Sequence, residues 1–171
     1  MALIMHLRDQ GDLKIELNVE EAPTTCKNFL ALAASDFYNG TKFHRNIKGY
    51  LIQGGDPTGR GKGGTSIYDG LPFADEIDAS LSHDGRGVLA MANNGPNKNL
   101  SQFYITYSKQ PSLDGKYTIF GRVIDGFGTL DKLEKEAESV DKKLRPLNDL
   151  VISSITILAN PIADREWLDQ Q

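Results

Sequence analysis

Residues 3–8 are mostly apolar, Asp9-Gln10-Gly11-Asp12 is rich in turn formers, and Leu13, Ile15 and Leu17 then alternate with Lys14 and Glu16. Apolar positions of period two on either side of a turn predict an opening β-hairpin. Beyond Ala22-Pro23 the period changes. Cys26, Phe29, Leu30 and Ala33 stand at i, i+3, i+4 and i+7, the stripe of an amphipathic helix with Pro23 in its first turn and Asn39-Gly40 past its end. Residues 43–47 and 50–53 read as two strands pivoting at Lys48-Gly49, and residues 54–64 and 68–86 as irregular loops. Short strands follow at 87–92, 102–106 and 117–124, each bounded by Gly, Asn or Pro. Leu130, Leu133 and Ala137 mark a second, more charged helix, and the β-branched run 150–158 a last strand. No repeat, linker or composition break divides the chain, which reads as one domain over 1–159 and a C-terminal tail at 160–171. About eight strands with so few helices point to a closed barrel or a sandwich.

Composition narrows the function classes. The 171 residues, 39% hydrophobic and 25% charged, suffice for one domain with its own core. Seventeen glycines exceed the usual ~7% and suit many tight turns. Nineteen Lys and Arg against 23 Asp and Glu leave a formal charge of −4, which disfavours a wholesale electrostatic grip on nucleic acid or anionic membrane but leaves room for a local basic patch. Cys26 is the only cysteine, so neither an intramolecular disulfide nor a cysteine metal cluster can form, as suits a reducing compartment. The five apolar residues before His6 do not make a signal peptide. The longest uncharged, fairly apolar run, 150–163, has 14 residues, below the ~18 of a membrane span. The sequons Asn39-Gly40-Thr41 and Asn99-Leu100-Ser101 are expected to stay unmodified inside a cell.

Familiar catalytic signatures fail on context. Gly59-Arg60-Gly61-Lys62-Gly63-Gly64 matches the dinucleotide fingerprint, but Asp56-Pro57-Thr58 precedes it and Thr65-Ser66-Ile67-Tyr68 follows, where a buried strand and a helix are needed; it reads as a flexible glycine loop. His6, His44 and His83 lack i, i+4 partners for zinc and read as structural, His44 as an imidazole bonded to backbone. No G-x-S-x-G elbow exists, and Cys26 sits on an apolar helix stripe as a core residue. What remains is Phe43-His44-Arg45, Gln53-Gly54-Gly55-Asp56, Met91-Ala92-Asn93-Asn94-Gly95-Pro96-Asn97, Ser101-Gln102-Phe103-Tyr104 and Leu113-Asp114-Gly115-Lys116-Tyr117. Each joins a strand end to an apolar or amide side chain, with one arginine among them. Such a set can bind an extended peptide without breaking any bond.

At these residues the chain closely resembles the cyclophilins, the cyclosporin-binding class of peptidyl-prolyl isomerases, over residues 3–159 and with the five motifs in the family's order and spacing. The resemblance implies a mainly β fold, a closed eight-stranded antiparallel β-barrel with two capping α-helices. It implies an isomerase of Xaa-Pro bonds in protein segments that needs no cofactor or metal and acts as a monomer. The uninterrupted run Ser35-Asp36-Phe37-Tyr38-Asn39-Gly40-Thr41-Lys42-Phe43, with Lys109-Gln110-Pro111, Lys116-Tyr117-Thr118, Arg145-Pro146-Leu147-Asn148-Asp149 and Ala159-Asn160-Pro161, is similar to the compact cyclophilin-like-3 branch, which is associated with spliceosomal complexes. Spliceosomal protein partners and a location in the nucleus and/or cytoplasm are therefore implied, without direct nucleic-acid or membrane binding and without a basic localisation cluster in the chain. An alternative is a proline-peptide binding module of a splicing assembly whose isomerase rate is incidental.

Carried over by position, Arg45 matches the catalytic arginine and Gln53 the glutamine that helps hold it. Ala92, Asn93 and Gln102 match the peptide groove, and Leu113 a wall of the proline pocket. Tyr50 and Tyr104 stand where phenylalanine is usual, Leu51 replaces methionine and Tyr117 replaces histidine. Ser112 stands where many members carry the tryptophan that favours cyclosporin, and Trp167 in the tail is no substitute, so weak cyclosporin binding is expected. The Tyr104 hydroxyl must either narrow the pocket or find a partner that burial would otherwise deny it.

Overall fold

The computed structural model describes residues 1–158, and the tail expected at 160–171 lies outside them. The opening hairpin forms as β1 (Ala2–Leu7) and β2 (Gly11–Leu17), in a register that places Leu3 opposite Ile15 and Met5 opposite Leu13. All four side chains are fully buried, so period-two patterning selects the inner face. The remaining strands are β3 (Arg45–Ile47), β4 (Leu51–Gly54), β5 (Val88–Asn93), β6 (Asn99–Thr106), β7 (Ile119–Asp125) and β8 (Ile152–Ile157). They form one antiparallel sheet in the order β3-β4-β6-β5-β7-β2-β1-β8. Register shifts in β1, β2 and β5 bend it strongly.

The expected closed barrel is not completed as a continuous ladder. β3 and β8, at the two ends of the strand order, do not pair. The segments leading into them meet at one bridge, Lys42 with Val151, flanked by Phe43 N–H to Leu150 O at 2.9 Å and Ile152 N–H to Thr41 O at 3.0 Å. Asn46 of the three-residue β3 sends its N–H to Leu144 O instead, so the outer edge of β3 is taken by a loop. The result is a strongly curled, open half-barrel.

Two helices pack on it. α1 (Pro23–Ala34) buries Cys26, Phe29, Leu30 and Ala33, as the stripe predicts. Ala22 at its N-cap offers no side-chain oxygen, and the cap comes from the 68–86 segment: Glu76 accepts from the N–H groups of Thr24 (3.2 Å) and Thr25 (2.7 Å) and from Thr25 Oγ1 (2.7 Å). Burial pushes the Cys26 thiol up to about 12, with Glu76 and Glu21 adding to the shift, so it is a protonated core group rather than a nucleophile. α2 (Phe127–Lys135) continues into a 3₁₀ turn, Glu136–Glu138, where Ala137 is buried. Gly126 opens α2 at φ +91°, where a Cβ would run into the Asp12 carbonyl, so only glycine fits. Asn46 Nδ2 donating to Leu133 O ties α2 to β3.

Strand parity also builds a second, smaller apolar cluster on the opposite face of the sheet. Leu51, Val88, Ala90, Tyr104 and Ile119 point there with Leu113, while Ile52, Leu89, Phe103 and Ile105 belong to the main core.

Candidate active site

On that outer face, one row of directly opposed residues crosses three ladders: Arg45 faces Gln53, Gln53 faces Tyr104, and Tyr104 faces Ala90. The row starts at an exposed guanidinium and ends in buried apolar surface. It runs through a cavity of about 240 Å³ that brings together nine of the ten site residues expected from sequence. Arg45 stands at its rim; Leu51, Tyr104 and Leu113, each no more than 9% exposed, supply the apolar wall. Tyr50, Gln53, Ala92, Asn93 and Tyr117 complete it, all partly exposed. Leu113 arrives on a 3₁₀ turn, Pro111–Leu113, absent from the sequence reading, and Tyr117 precedes β7 instead of opening it. The tenth residue, Gln102, lies in an adjoining cavity but bonds into the first: Gln53 Nε2 donates to Gln102 Oε1 at 3.0 Å, and Gln102 Nε2 donates to Gly63 O at 2.8 Å.

The Gln53 amide is thus engaged by Gln102, not by Arg45. Among the described residues the guanidinium makes no hydrogen bond or ion pair, so its five donors remain available at the rim of an apolar pocket.

Tyr104 finds its partner in His83. The hydroxyl lies 2.6 Å from His83 Nε2, and His83 Nδ1 lies 2.7 Å from Asp114 Oδ1, which also accepts the His83 N–H at 2.6 Å. The imidazole is fully buried, stacks on the Tyr104 ring at 5.8 Å, and Tyr104 meets Tyr117 edge-on at 5.9 Å. The two hydrogen bonds of His83 hold the Asp114 carboxyl below the usual carboxylate range. Burial, then Tyr117, Tyr50 and Asp114, push the Tyr104 phenol far above its usual range, so it stays protonated.

A family model described as cyclophilin-type peptidyl-prolyl cis-trans isomerase/CLD matches residues 2–157. The chain belongs to this family. This cyclophilin is 61% identical over 163 residues to peptidyl-prolyl cis-trans isomerase-like 3 of Gallus gallus, covering 95% of the chain and 99% of the relative. The Homo sapiens protein of the same name is 60% identical over the same shares. A solved cyclophilin-type isomerase of Cryptosporidium parvum, crystallised in the presence of the dipeptide Ala-Pro, superimposes with a TM-score of 0.89 at 51% identity, covering 94% of this chain and all of that one. The cyclophilin is accordingly a peptidyl-prolyl cis-trans isomerase, an enzyme that rotates Xaa-Pro bonds.

Three features of the cyclophilin site escape sequence reasoning. Asn94 also lines the main cavity, though it stands inside a motif already singled out. His83 reads as structural, yet it braces the pocket wall. The glycine loop is pinned rather than free: the fully buried Asp56 carboxylate accepts from Thr58 N–H at 2.8 Å, Gly61 N–H at 2.7 Å and Gly63 N–H at 3.0 Å. Burial alone would raise the Asp56 carboxyl, but these donors and the Thr58 hydroxyl outweigh it and hold it below the usual range. N–H groups that a phosphate loop would offer to a ligand are spent here on an internal carboxylate. His44 differs too from its expected backbone bond: only its main-chain N–H pairs, with Gln53 O, while Nδ1 is buried without a partner among the described residues. Burial lowers its basicity, with Arg145 and Arg45 adding and Asp56 opposing, so the ring is neutral at pH 7.

Proposed function

We propose that this cyclophilin accelerates Xaa-Pro rotation by differential binding of the twisted amide, with Arg45 as the donor and the Leu51, Tyr104 and Leu113 wall as the proline seat. Planar amide resonance sets a barrier of ~18–20 kcal/mol. As the bond twists, the proline nitrogen becomes pyramidal and regains its lone pair. A donor aimed at that lone pair binds the transition state better than either planar isomer. The twisted amide is also less dipolar than the planar one, so an apolar, water-poor wall disfavours the ground state more. The observation that carries this reading is the uncommitted Arg45 guanidinium beside the apolar wall. Asn93, Ala92 and Gln102 would hold the flanking peptide extended, with Gln53 fixing Gln102 and, through the cross-strand register, limiting where Arg45 can go.

The finer setting is also a proposal. Resemblance to the compact branch supports a monomeric enzyme of splicing assemblies, in the nucleus and/or cytoplasm. Its partners there are spliceosomal proteins rather than RNA, in keeping with the net charge of −4. A tagged copy expressed in its own cells should recover proteins of the splicing machinery, and recovery of none would overturn this setting. A second reading, a proline-peptide binding module with incidental isomerase rate, is favoured by the departures at Tyr104, Ser112 and Tyr117 and by the missing Gln53–Arg45 hydrogen bond. Peptide binding without measurable exchange would select it.

A further inference from the structure

The proline pocket continues past Asn93. Gln53, Ala92, Asn93 and Asn94 are shared with a second, smaller cavity of about 70 Å³, whose other side brings in Lys62 from the glycine loop and Lys98 from the turn before β6. Among the described residues, none that lines this cavity is acidic. The nearby carboxylates are already engaged: Asp56 binds the glycine loop from within, and Asp75 accepts from Asn97 N–H and Asn99 Nδ2. Lys62 and Lys98 form no ion pair or hydrogen bond among the described residues. One more donor is uncommitted. Asn93 Oδ1 accepts from Gly95 N–H at 3.1 Å, which fixes the amide orientation, and leaves Nδ2 buried without a partner among the described residues. A buried N–H without an acceptor is costly, and an occupant that accepts from it removes the cost.

Two ammonium groups and an amide donor, unpaired among the described residues of a chain whose net charge is −4, make this a locally cationic cleft. We propose that the cavity is an anion-selecting subsite, taking the carboxylate or phosphoryl head of a side chain that flanks the Xaa-Pro bond. The preferred substrates of this cyclophilin are then acidic or phosphorylated proline segments. The proposal rests on reading the adjoining pocket as the proline seat, because the two cavities share a wall and one extended peptide reaches both. The small volume suits a compact head group. Both lysines are exposed, so the discrimination is moderate and salt-sensitive.

The test uses the full chain and a set of peptides of one sequence, with Ala, Lys, Glu or phosphoserine placed in turn at each of three positions on either side of Xaa-Pro. At one position Glu, phosphoserine or both should raise kcat/KM about 2- to 30-fold over Ala, as two exposed ion pairs allow, and Lys should lower it. A rise with Glu assigns the site to carboxylates, a rise with phosphoserine alone to phosphoryl groups. The preference should shrink at high salt and invert in the Lys62→Glu/Lys98→Glu variant. No charge preference at any position while the Ala peptide is turned over, or a preference that survives charge reversal, overturns the proposal alone. Failure both to turn over and to bind any of the peptides overturns the proline-seat reading and this subsite with it, whereas binding without turnover moves the same charge comparison from kcat/KM to Kd, where no preference again overturns the subsite alone.

Discussion

Replacing Tyr104 by phenylalanine, the residue usual in the family, should destabilise this particular chain. The ring keeps its place against Tyr117 and the apolar wall, but the hydroxyl 2.6 Å from His83 Nε2 is gone. His83 is fully buried, and its other nitrogen is held at 2.7 Å by Asp114, so the imidazole cannot swing to water for a new partner. A buried polar atom stranded in this way costs about 1–3 kcal/mol. For a chain of this size each kcal/mol lowers Tm by roughly 2–4 °C, so the expected fall is roughly 2–12 °C. Thermal and urea unfolding read it directly. His83→Leu strands the Tyr104 hydroxyl in turn, while the exposed Asp114 carboxylate keeps the main-chain N–H of residue 83, and the double variant removes the buried hydroxyl–imidazole pair together. The double variant should therefore lose less than the sum of the two single losses, with a coupling of about 0.5–3 kcal/mol. Tyr104→Phe as stable as the parent, or strict additivity in the cycle, would refute the reasoning that a partnered phenol is what makes tyrosine acceptable here.

Glu76→Ala removes the acceptor for two N–H groups and a hydroxyl at the start of α1, and should cost about 1–2 kcal/mol in urea unfolding with the sheet otherwise intact. Asp56 contributes stability with a defined pH window. Its folded value lies below its unfolded value near 3.9, so the contribution is full above that value and is lost as pH falls through the lower folded one. The excess Tm of the parent over Asp56→Asn should accordingly shrink when melts are taken from pH 6 down to pH 3, and a constant difference would count against the nest of N–H donors. Calorimetry should find weak cyclosporin binding, strengthened in Ser112→Trp, because Ser112 is exposed on the 3₁₀ turn beside Leu113 and offers no indole surface; tight binding by the parent would contradict this.

Much of the site was legible because strand parity and motif order are local properties. Leu51, Gln53, Gln102 and Tyr104 fall on one face by period two alone, and the alternation in 13–17 set the hairpin register. What sequence could not supply depends on contacts between distant segments. Glu76 caps a helix whose own N-cap is Ala22, and nothing in the 68–86 stretch signals that role. Closure failed for a related reason: whether β3 pairs with β8 or with Leu144 is decided by a competition for one strand edge, invisible to periodicity. Glycine content alone suggests a flexible loop, and composition carries no sign that the neighbouring Asp56 consumes its N–H groups. Resemblance makes Gln53 the glutamine that helps hold Arg45, without saying by which contact. Gln102, one strand further on, captures the amide.

The central claim is that Arg45 acts on the twisted amide rather than on the bound planar peptide. NMR exchange spectroscopy on an Ala-Pro peptide measures both quantities in one sample series, the catalysed cis/trans rate and the peptide Kd. A hydrogen bond from a charged donor is worth about 1.5–3 kcal/mol, so Arg45→Ala should slow catalysed exchange roughly 10- to 150-fold while the Kd changes far less. The exposed position of Arg45 makes the variant expected to fold normally. Equal exchange rates for parent and variant, or a loss of rate matched by an equal loss of affinity, would contradict the claim.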